Sequence, residues 1–346
     1  MPSHFAHLLH VEDSIAAALP DFSPQSSDPV AYSCFVLGAQ GPDLFYHNRR
    51  RKPSALLYGS LSHRKNYGKV VAGLVGDAVE REVPLRSRFG AFVLGYACHA
   101  LLDRKLHPFI NYFSDLPDDR VFPRAHAFFE RIVDVLLTRS RRNTEPRQVD
   151  FRSIIDCGPT IPADVSHALI SAFAGAFDRA GNDGQLEERL RNAYLDSLGF
   201  YAYTNMADHT AVSKAVKHAE SERHARAMIA LLHPPELPEG YDFANAAHNQ
   251  WCHPCDEHDT RTSSLYDLYD EAVEQATRLL HGIAAGWEGR IPLFDSAAAA
   301  TEPSVEALVG NHNLSDERRL HCARSSAAPF PLLKIADELR AYYLRE

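Results

Sequence analysis

Residues 89–107, FGAFVLGYACHALLDRKLH, form the stretch that decides the fold. Apolar residues recur there with helical spacing rather than in strict alternation, which predicts a helix packed into a core. His99, Asp103 and His107 follow one another at intervals of four residues. At about 100° per residue they fall within roughly 80° of arc. The stretch therefore predicts a core helix that presents three metal-capable side chains on one face.

A second polar pair, His126 and Glu130, stands on the next predicted helix, which runs from Pro123 to Thr138. A chain with 19 histidines and 45 acidic residues contains roughly 2.5 His-x3-Asp/Glu pairs by chance, and this chain has five. A single pair is therefore weak evidence, and ordinary helix pairing or a buried polar network explains it as well. Two pairs on consecutive helices, with His107 between them, favour a metal site.

Helical spacing continues along most of the chain and predicts an all-α fold, a multi-helix bundle. Further helices are expected over residues 59–80, 163–180, 186–197, 208–232, 265–285 and 332–344. Pro and Asp clusters at 116–119 and 233–238 mark joints between them. We expect a metal-binding domain over 1–160 and a helical continuation packed on it over 161–346, with a joint near 233–263.

Two short segments before the core helix add ligand-type residues. In residues 37–43, LGAQGPD, Asp43 follows a tight Gly-Pro turn, and in residues 59–63, GSLSH, His63 stands near the start of a helix. The alternatives are a turn carboxylate and an exposed or helix-capping histidine. Because helical bundles build their cofactor sites from facing helices, both side chains are candidates to converge on the core helix.

The segments LGAQGPD (37–43), GYACHALLD (95–103) and HPFI (107–110) together resemble the zinc-dependent phospholipase C family, which shares its fold with P1-type single-strand nucleases. His7, and Trp251 in an Asn/His-rich stretch, are also similar to bacterial members. The resemblance covers roughly the first 135 residues well and the rest of the chain loosely. It implies a bundle of phospholipase C / P1 nuclease type with a helical C-terminal extension.

The resemblance also implies two to three zinc ions. One would be bound by Asp43, His63, His99 and Asp103, and a second by His107, His126 and Glu130. A third would share Asp103 and add His7, which His4 and His10 flank at similar helical offsets. Two features depart from the family. Met1 or Pro2 stands where secreted relatives have a chelating first residue, and Asp103 and His107 are closer in sequence than in those enzymes.

Imidazole and carboxylate ligands suit Zn²⁺, and paired cations promote hydrolysis of a phosphodiester by activating water. The expected activity is therefore zinc-dependent hydrolysis of a phosphodiester small molecule or a phospholipid headgroup, with Asp43 as a ligand and candidate general base. A single-strand nuclease or nucleotidase of the same fold is one alternative, and a non-catalytic metal-binding protein is another. The headgroup and the oligomeric state stay open.

Charge and composition limit the partners and the compartment. A net charge of −9 argues against a stable nucleic-acid partner, which needs a positive surface. The N-terminal residues have no basic segment followed by an apolar one, and no apolar run is long enough to cross a bilayer. Six scattered cysteines do not form a disulfide framework. These features predict a reduced, cytoplasmic protein without a transmembrane segment.

Cys252-His253-Pro254-Cys255 is the one close cysteine pair. It could be half of a structural zinc site, but a second cysteine pair is missing, and we expect a loop. His258-Asp259 is the only His-Asp dipeptide. Because residues 257–263 are predicted to form a loop rather than a helix, this dipeptide does not indicate an HD-type phosphohydrolase.

Overall fold

The computed structural model describes residues 4–24, 29–114, 124–205, 213–214, 216–219, 221–237, 239–295, 302–315 and 332–344. The first helices are α1 (His4–Ala18), α2 (Pro29–Ala39), α3 (Leu56–Arg64), α4 (Tyr67–Glu80), α5 (Arg88–Ser114) and α6 (Ala125–Arg142). They are followed by α7 (Phe151–Ile155), α8 (Ala163–Ala176), α9 (Asp178–Gly181), α10 (Leu186–Thr204) and α11 (Glu222–Ile229). The hairpin β1 (Trp251–His253) and β2 (Asp256–Arg261) precedes α12 (Leu265–Trp287), α13 (Val305–Val309) and α14 (Leu332–Leu344). Short 3₁₀ helices cover Gly41–His47 and Pro146–Gln148. The all-α bundle predicted from the sequence is confirmed.

Helix α5 is the central element, because it is buried along almost its whole length. A helix that is apolar on all sides belongs in the interior. Its first half, including Phe92, enters one hydrophobic cluster, and its second half, including Phe109, enters another. Each of these fully buried rings contributes about 1.5–3 kcal/mol relative to an exposed one. His99, Asp103 and His107 lie where the two clusters meet.

Glycines allow α2 and α5 to approach each other closely. A Cβ atom on Gly38 would lie 2.2 Å from the Phe92 carbonyl oxygen, and one on Gly95 would lie 2.6 Å from the Phe35 carbonyl oxygen. Any side chain at either position would therefore push the two helices apart. This contact brings the end of α2 beside His99.

The helix expected over residues 59–80 is two helices. Lys65 is extended and Asn66 is left-handed, with φ 62°. The backbone N–H of Asn66 donates to the Asn311 carbonyl at 3.0 Å, and that of Gly68 donates to the Gly310 carbonyl at 3.0 Å. The prediction of one helix was wrong because these contacts with a distant segment replace helical hydrogen bonds.

Other boundaries also differ. The core helix extends beyond residue 107 and passes through Pro108 to Ser114. The helix expected over 163–180 is divided between α8 and α9, and the one expected over 186–197 continues to Thr204. Of the helix expected over 208–232, α11 is observed, whereas residues 208–212 lie outside the described residues.

The stretch that was expected to be a loop around Cys252 and His258 forms the antiparallel hairpin β1–β2. Trp251 anchors it, because its buried ring packs at 90° against Phe109 of α5 with 5.5 Å between centroids. Cys252 is a free thiol, but Cys255 is disulfide-bonded. The expectation of a fully reduced chain was therefore wrong at Cys255.

Residues of the two domains expected from the sequence, 1–160 and 161–346, pack into the same hydrophobic core. Leu74 and Phe92 share the first cluster with Phe173, Leu190 and Leu279. The division at residue 160 stays a prediction. Among the described residues, no helix is both long and apolar enough to cross a membrane.

Candidate metal centre

The 3₁₀ helix Gly41–His47 and helices α3 and α5 bring Asp43, His63 and His99 together. Asp43 Oδ1 lies 2.9 Å from His63 Nε2, and Asp43 Oδ2 lies 3.4 Å from His99 Nε2. Asp43 and His99 are fully buried, whereas the His63 side chain is slightly exposed. Three segments that are far apart in sequence therefore converge on one point.

Asp103 lies at the middle of the centre. Its Oδ2 is 3.3 Å from His99 Nε2 and 3.8 Å from His63 Nε2. Its Oδ1 is 3.2 Å from Nε2 of His7, which α1 contributes, and 3.8 Å from His107 Nδ1. The His7 and His99 rings are stacked, with 4.0 Å between centroids. Each carboxylate oxygen of Asp103 thus faces a different pair of histidines.

The second group consists of His107, His126 and Glu130. Glu130 Oε1 lies 3.0 Å from His126 Nε2 and 3.8 Å from His107 Nε2. A cavity of about 10 Å³ adjoins this group and is lined in part by His7, Asp103, His107 and Glu130. The ligand-capable atoms of both groups lie close enough together to hold metal ions.

Backbone carbonyls orient three of the histidines. Nδ1 of His63, His99 and His107 lies 2.8, 3.0 and 3.0 Å from the carbonyl oxygens of Gly59, Ala39 and Leu314, respectively. In each ring a donating Nδ1–H leaves Nε2 as the available lone pair, directed at a carboxylate. Metal-binding histidines in proteins commonly have such a hydrogen-bond partner on the second nitrogen.

Several buried polar atoms at the centre lack a hydrogen-bond partner within the described part of the chain. Among the described residues, Asp43 Oδ2, Asp103 Oδ2 and His99 Nε2 have no hydrogen-bond partner. Native proteins rarely leave such atoms buried without a partner or an ion. The donor set, neutral imidazoles and carboxylates, is one that suits Zn²⁺. The residues therefore fit a metal ion.

The charges at the centre depend on one another. Burial alone would raise the pKa of Asp103, but His107 and His99 hold it well below its usual range. Burial would lower the pKa of His107, but Asp103 and Glu130 raise it to about 9. Burial lowers the pKa of His7 and His126. The Asp103 carboxylate is therefore ionised, and the raised pKa of His107 shows that its neighbours favour a positive charge there, which a bound cation would provide beside a neutral ring.

A third buried cluster was missed by the sequence analysis. Asp134 Oδ2 lies 2.8 Å from His233 Nε2 and 3.8 Å from His4 Nδ1. The guanidinium of Arg131 contacts both His4 and Asp134, so a positive charge already stands beside the carboxylate. Asp134 Oδ1 also accepts the Ala6 N–H at 2.9 Å, which fixes the first turn of α1. We interpret this cluster as structural, since it holds the helix that carries His7.

A cleft of about 490 Å³ opens beside His126. We call it the arginine cleft, because Arg49, Arg50 and Arg124 line it together with His126. Its other lining residues are mostly aromatic and apolar: Tyr46, His47, Ala127, Asp196, Gly199, Phe200, Tyr203, Met228 and Leu231. The basic run of residues 49–52, close after Asp43, was the sequence signal for this cleft.

The sequence matches no family model, and no curated protein or solved structure is significantly similar to it.

Proposed function

We propose that this chain is a zinc-dependent hydrolase of phosphodiester bonds, similar in its chemistry to phospholipase C. The observation that carries the proposal is the position of Asp103. Its Oδ2 lies 3.3 Å from His99 Nε2 of one ligand group, whereas its Oδ1 lies 3.2 Å from His7 Nε2 and 3.8 Å from Nδ1 of His107, which belongs to the other group. A carboxylate that faces ligands on both sides is suited to bridge two cations.

Zinc would be held in two groups. The first group is Asp43, His63, His99 and Asp103, with His7 beside Asp103, and the second is His107, His126 and Glu130. Bound zinc would supply Lewis-acid polarisation of the phosphate and a lowered pKa for water. Proton transfer would be carried out by side chains of the protein.

Asp43 is the proposed general base. Burial would raise the pKa of its carboxyl, but His99 and His63 lower it, so the group is ionised and can accept a proton. His63 Nε2, 2.9 Å away, and the hydrogen bond from His63 Nδ1 to the Gly59 carbonyl fix its orientation. Asp43, whose oxygens lie 2.9 Å from His63 Nε2 and 3.4 Å from His99 Nε2, would therefore accept the proton of the attacking water.

A second candidate function, a nuclease or nucleotidase of the same fold, is favoured by the arginine cleft. Phe200 and Tyr203 offer aromatic faces, and Arg49, Arg50 and Arg124 offer positive charge. Base stacking with backbone contacts needs this combination. The proposed substrates therefore include a nucleotide as well as a phospholipid headgroup or another small phosphodiester.

Metal analysis of the purified full chain, followed by a phosphodiester panel, tests the proposal. We expect at least two zinc equivalents after reconstitution and turnover of bis(4-nitrophenyl) phosphate. Asp103→Asn should lower both, whereas His258→Gln, at an exposed position of β2, should change neither. Less than one equivalent of zinc in the wild-type chain would exclude the metal centre. Two equivalents without turnover of any panel member would show a non-catalytic metal-binding protein.

A further inference from the structure

We infer that the substrate carries a second anionic group, besides its phosphodiester, which binds Arg49, Arg50 and Arg124 in the arginine cleft. The inference rests on the proposed function, since it names the substrate class of that same centre. The group is a phosphate or a carboxylate, the anions that guanidinium groups bind in planar, paired hydrogen bonds.

The three guanidinium groups are not neutralised within the described part of the chain. None of them forms an ion pair with a carboxylate there. Arg49 Nε donates to the Tyr46 carbonyl at 3.1 Å, and Arg124 Nη1 donates to the Ala227 carbonyl at 3.0 Å. These bonds fix each side chain without reducing its charge. Cationic side chains that line one cleft without counter-ions favour an anionic ligand.

Asp196 is the carboxylate among the lining residues, and its oxygens are already engaged. Oδ1 accepts from Arg51 Nη1 at 2.6 Å, and Oδ2 accepts from the backbone N–H groups of Arg50 and Arg51 at 2.9 Å. Oδ2 also accepts from Asn48 Nδ2 at 2.9 Å. Asp196 therefore positions the backbone of Arg50 and Arg51, while its charge is directed to the Arg51 guanidinium.

The cleft adjoins the metal centre through one side chain. His126 lines the cleft, is 33 % exposed there, and lies 3.0 Å from Glu130 of the second ligand group. The first turn of α6 follows Arg124 into the same cleft, and its N–H groups add to the positive potential. A ligand that spans the cleft would place one anionic group at the arginines and its phosphodiester toward His126.

The apolar wall accounts for the rest of such a substrate. Phe200 is held by stacking on His47, with 3.7 Å between centroids, and Met228 and Leu231 lie nearby in the lining. A short apolar or aromatic linker fits that wall. A quaternary ammonium headgroup does not fit, because it would face three uncompensated positive charges.

A matched pair of chromogenic substrates tests the inference on the zinc-loaded full chain. We compare 4-nitrophenyl ethyl phosphate with 4-nitrophenyl 2-carboxyethyl phosphate, which differ by one carboxylate. The wild-type kcat/KM should be about ten-fold or more higher for the carboxylate, the effect of hydrogen bonds to a charged group. In Arg50→Gln and Arg124→Gln this ratio should fall to near one.

Arg290→Gln is the control, because Arg290 is exposed and pairs with Glu288 outside the cleft. It should keep the wild-type ratio. No preference in the wild-type chain, or an equal loss for both substrates in the two cleft variants, would overturn the inference. The second result would show that the arginines bind the scissile phosphate itself.

Equilibrium binding separates a failed inference from a failed function. Naphthalene-1,5-disulfonate is a fluorescent dianion whose sulfonates bind zinc weakly, and its Kd should rise about ten-fold in the cleft variants. If neither ester is hydrolysed but this rise is found, the proposed function fails and the anion site stands. If the Kd is the same in all variants, the anion site is refuted whatever the turnover.

The source of the anionic group is resolved by a third comparison. Phosphatidylserine vesicles and soluble glycerophosphoserine carry the same carboxylate. Faster hydrolysis of the vesicles would show a lipid headgroup, and faster hydrolysis of the soluble ester would show a free metabolite. In either case a loss of activity in Arg50→Gln that exceeds its loss on 4-nitrophenyl ethyl phosphate supports the inference, and an equal loss on both substrates counts against it.

Discussion

The Nδ1 atom of His99 lies 3.0 Å from the carbonyl oxygen of Ala39, so the end of α2 fixes a ligand-type ring on α5. This hydrogen bond needs the close approach of the two helices that Gly38 and Gly95 permit. It leaves Nε2 of His99 directed at Asp43 and Asp103. The helix contact and the candidate metal centre are therefore one arrangement.

Gly41→Ala should disturb His99 directly. Gly41 has φ +53°, and a Cβ atom there would lie 2.5 Å from His99 Cγ. We expect a loss of about 1–3 kcal/mol in the free energy of unfolding and weaker zinc binding, because both the backbone and the ring must shift. Urea unfolding and zinc titration measure the two effects. Gly184→Ala is the control, as no atom lies within 4 Å of its added Cβ. Unchanged zinc affinity in Gly41→Ala would contradict the prediction.

Asp103→Asn should reduce metal content and turnover more than any other single change at the centre. Asp103 contacts His7 and His99 through different oxygens, so both sides of the centre lose a charge at once. Zinc analysis and kcat on the full set of single ligand variants provide the ranking. If His7→Ala proved equally damaging, Asp103 would not have the bridging role.

The double change His126→Ala and Glu130→Ala should remove one zinc equivalent and most activity, because one ion loses two ligands from one helix face. The matched change, Cys252→Ser with Cys255→Ser, should leave zinc content intact. It should lower the free energy of unfolding by about 2–4 kcal/mol, since Cys255 is disulfide-bonded. Loss of zinc from the serine variant, and not from the alanine variant, would show that the zinc is bound near Cys252 and Cys255 instead of at His126 and Glu130.

Arg104→Gln should destabilise the fold and weaken the second ligand group. The buried guanidinium of Arg104 donates to the carbonyls of Val309, Gly310, His312 and Asn313. The same segment supplies the Leu314 carbonyl that orients His107. We expect a loss of about 2–4 kcal/mol, measured by urea unfolding.

The neighbouring Lys105→Gln is the control for Arg104→Gln. Lys105 pairs with the exposed Glu271, so its loss should change the free energy of unfolding by less than about 1 kcal/mol. Zinc titration of both variants should show weaker binding only in Arg104→Gln. Equal effects of the two changes would refute a specific role for the 309–314 segment.

His10 should make stability depend on pH. Burial lowers the pKa of His10 to about 4, below the value of 6.5 in an unfolded chain. Between these values the unfolded state binds a proton that the native state does not, so stability falls as the pH decreases from 6.5 toward 4. The loss amounts to about 3 kcal/mol over that window.

Urea unfolding of the wild-type chain and of His10→Gln at pH 7.5 and pH 4.5 measures this loss. The difference between the two chains should shrink at the lower pH, whereas His258→Gln, at an exposed position, should follow the wild-type chain. If the free energies of unfolding of the wild-type chain and of His10→Gln differed by the same amount at both pH values, His10 would not be the source of the pH dependence.

Local sequence spacing was enough to predict helix type and the ligand face of α5. Residues four apart on a helix are neighbours whatever surrounds them, so the sequence alone places His99 one turn from Asp103 and His126 one turn from Glu130. The length and apolar character of α5 likewise require burial. The sequence could not show that residues 65–66 break a helix, because the cause is a contact with residues 310–311.

The sequence by itself determined the helices and most of the ligand-type side chains, because both follow from local periodicity and residue chemistry. Only the tertiary structure decided which of these side chains meet. His7 and His63 reach Asp103, and Asp43 reaches His63 and His99, through long-range packing of α1, α3 and the 3₁₀ helix around α5. It also decided that Arg49 and Arg124 share a cleft. Distances between segments far apart in the chain depend on the packing of the whole core, which no local pattern of residues encodes.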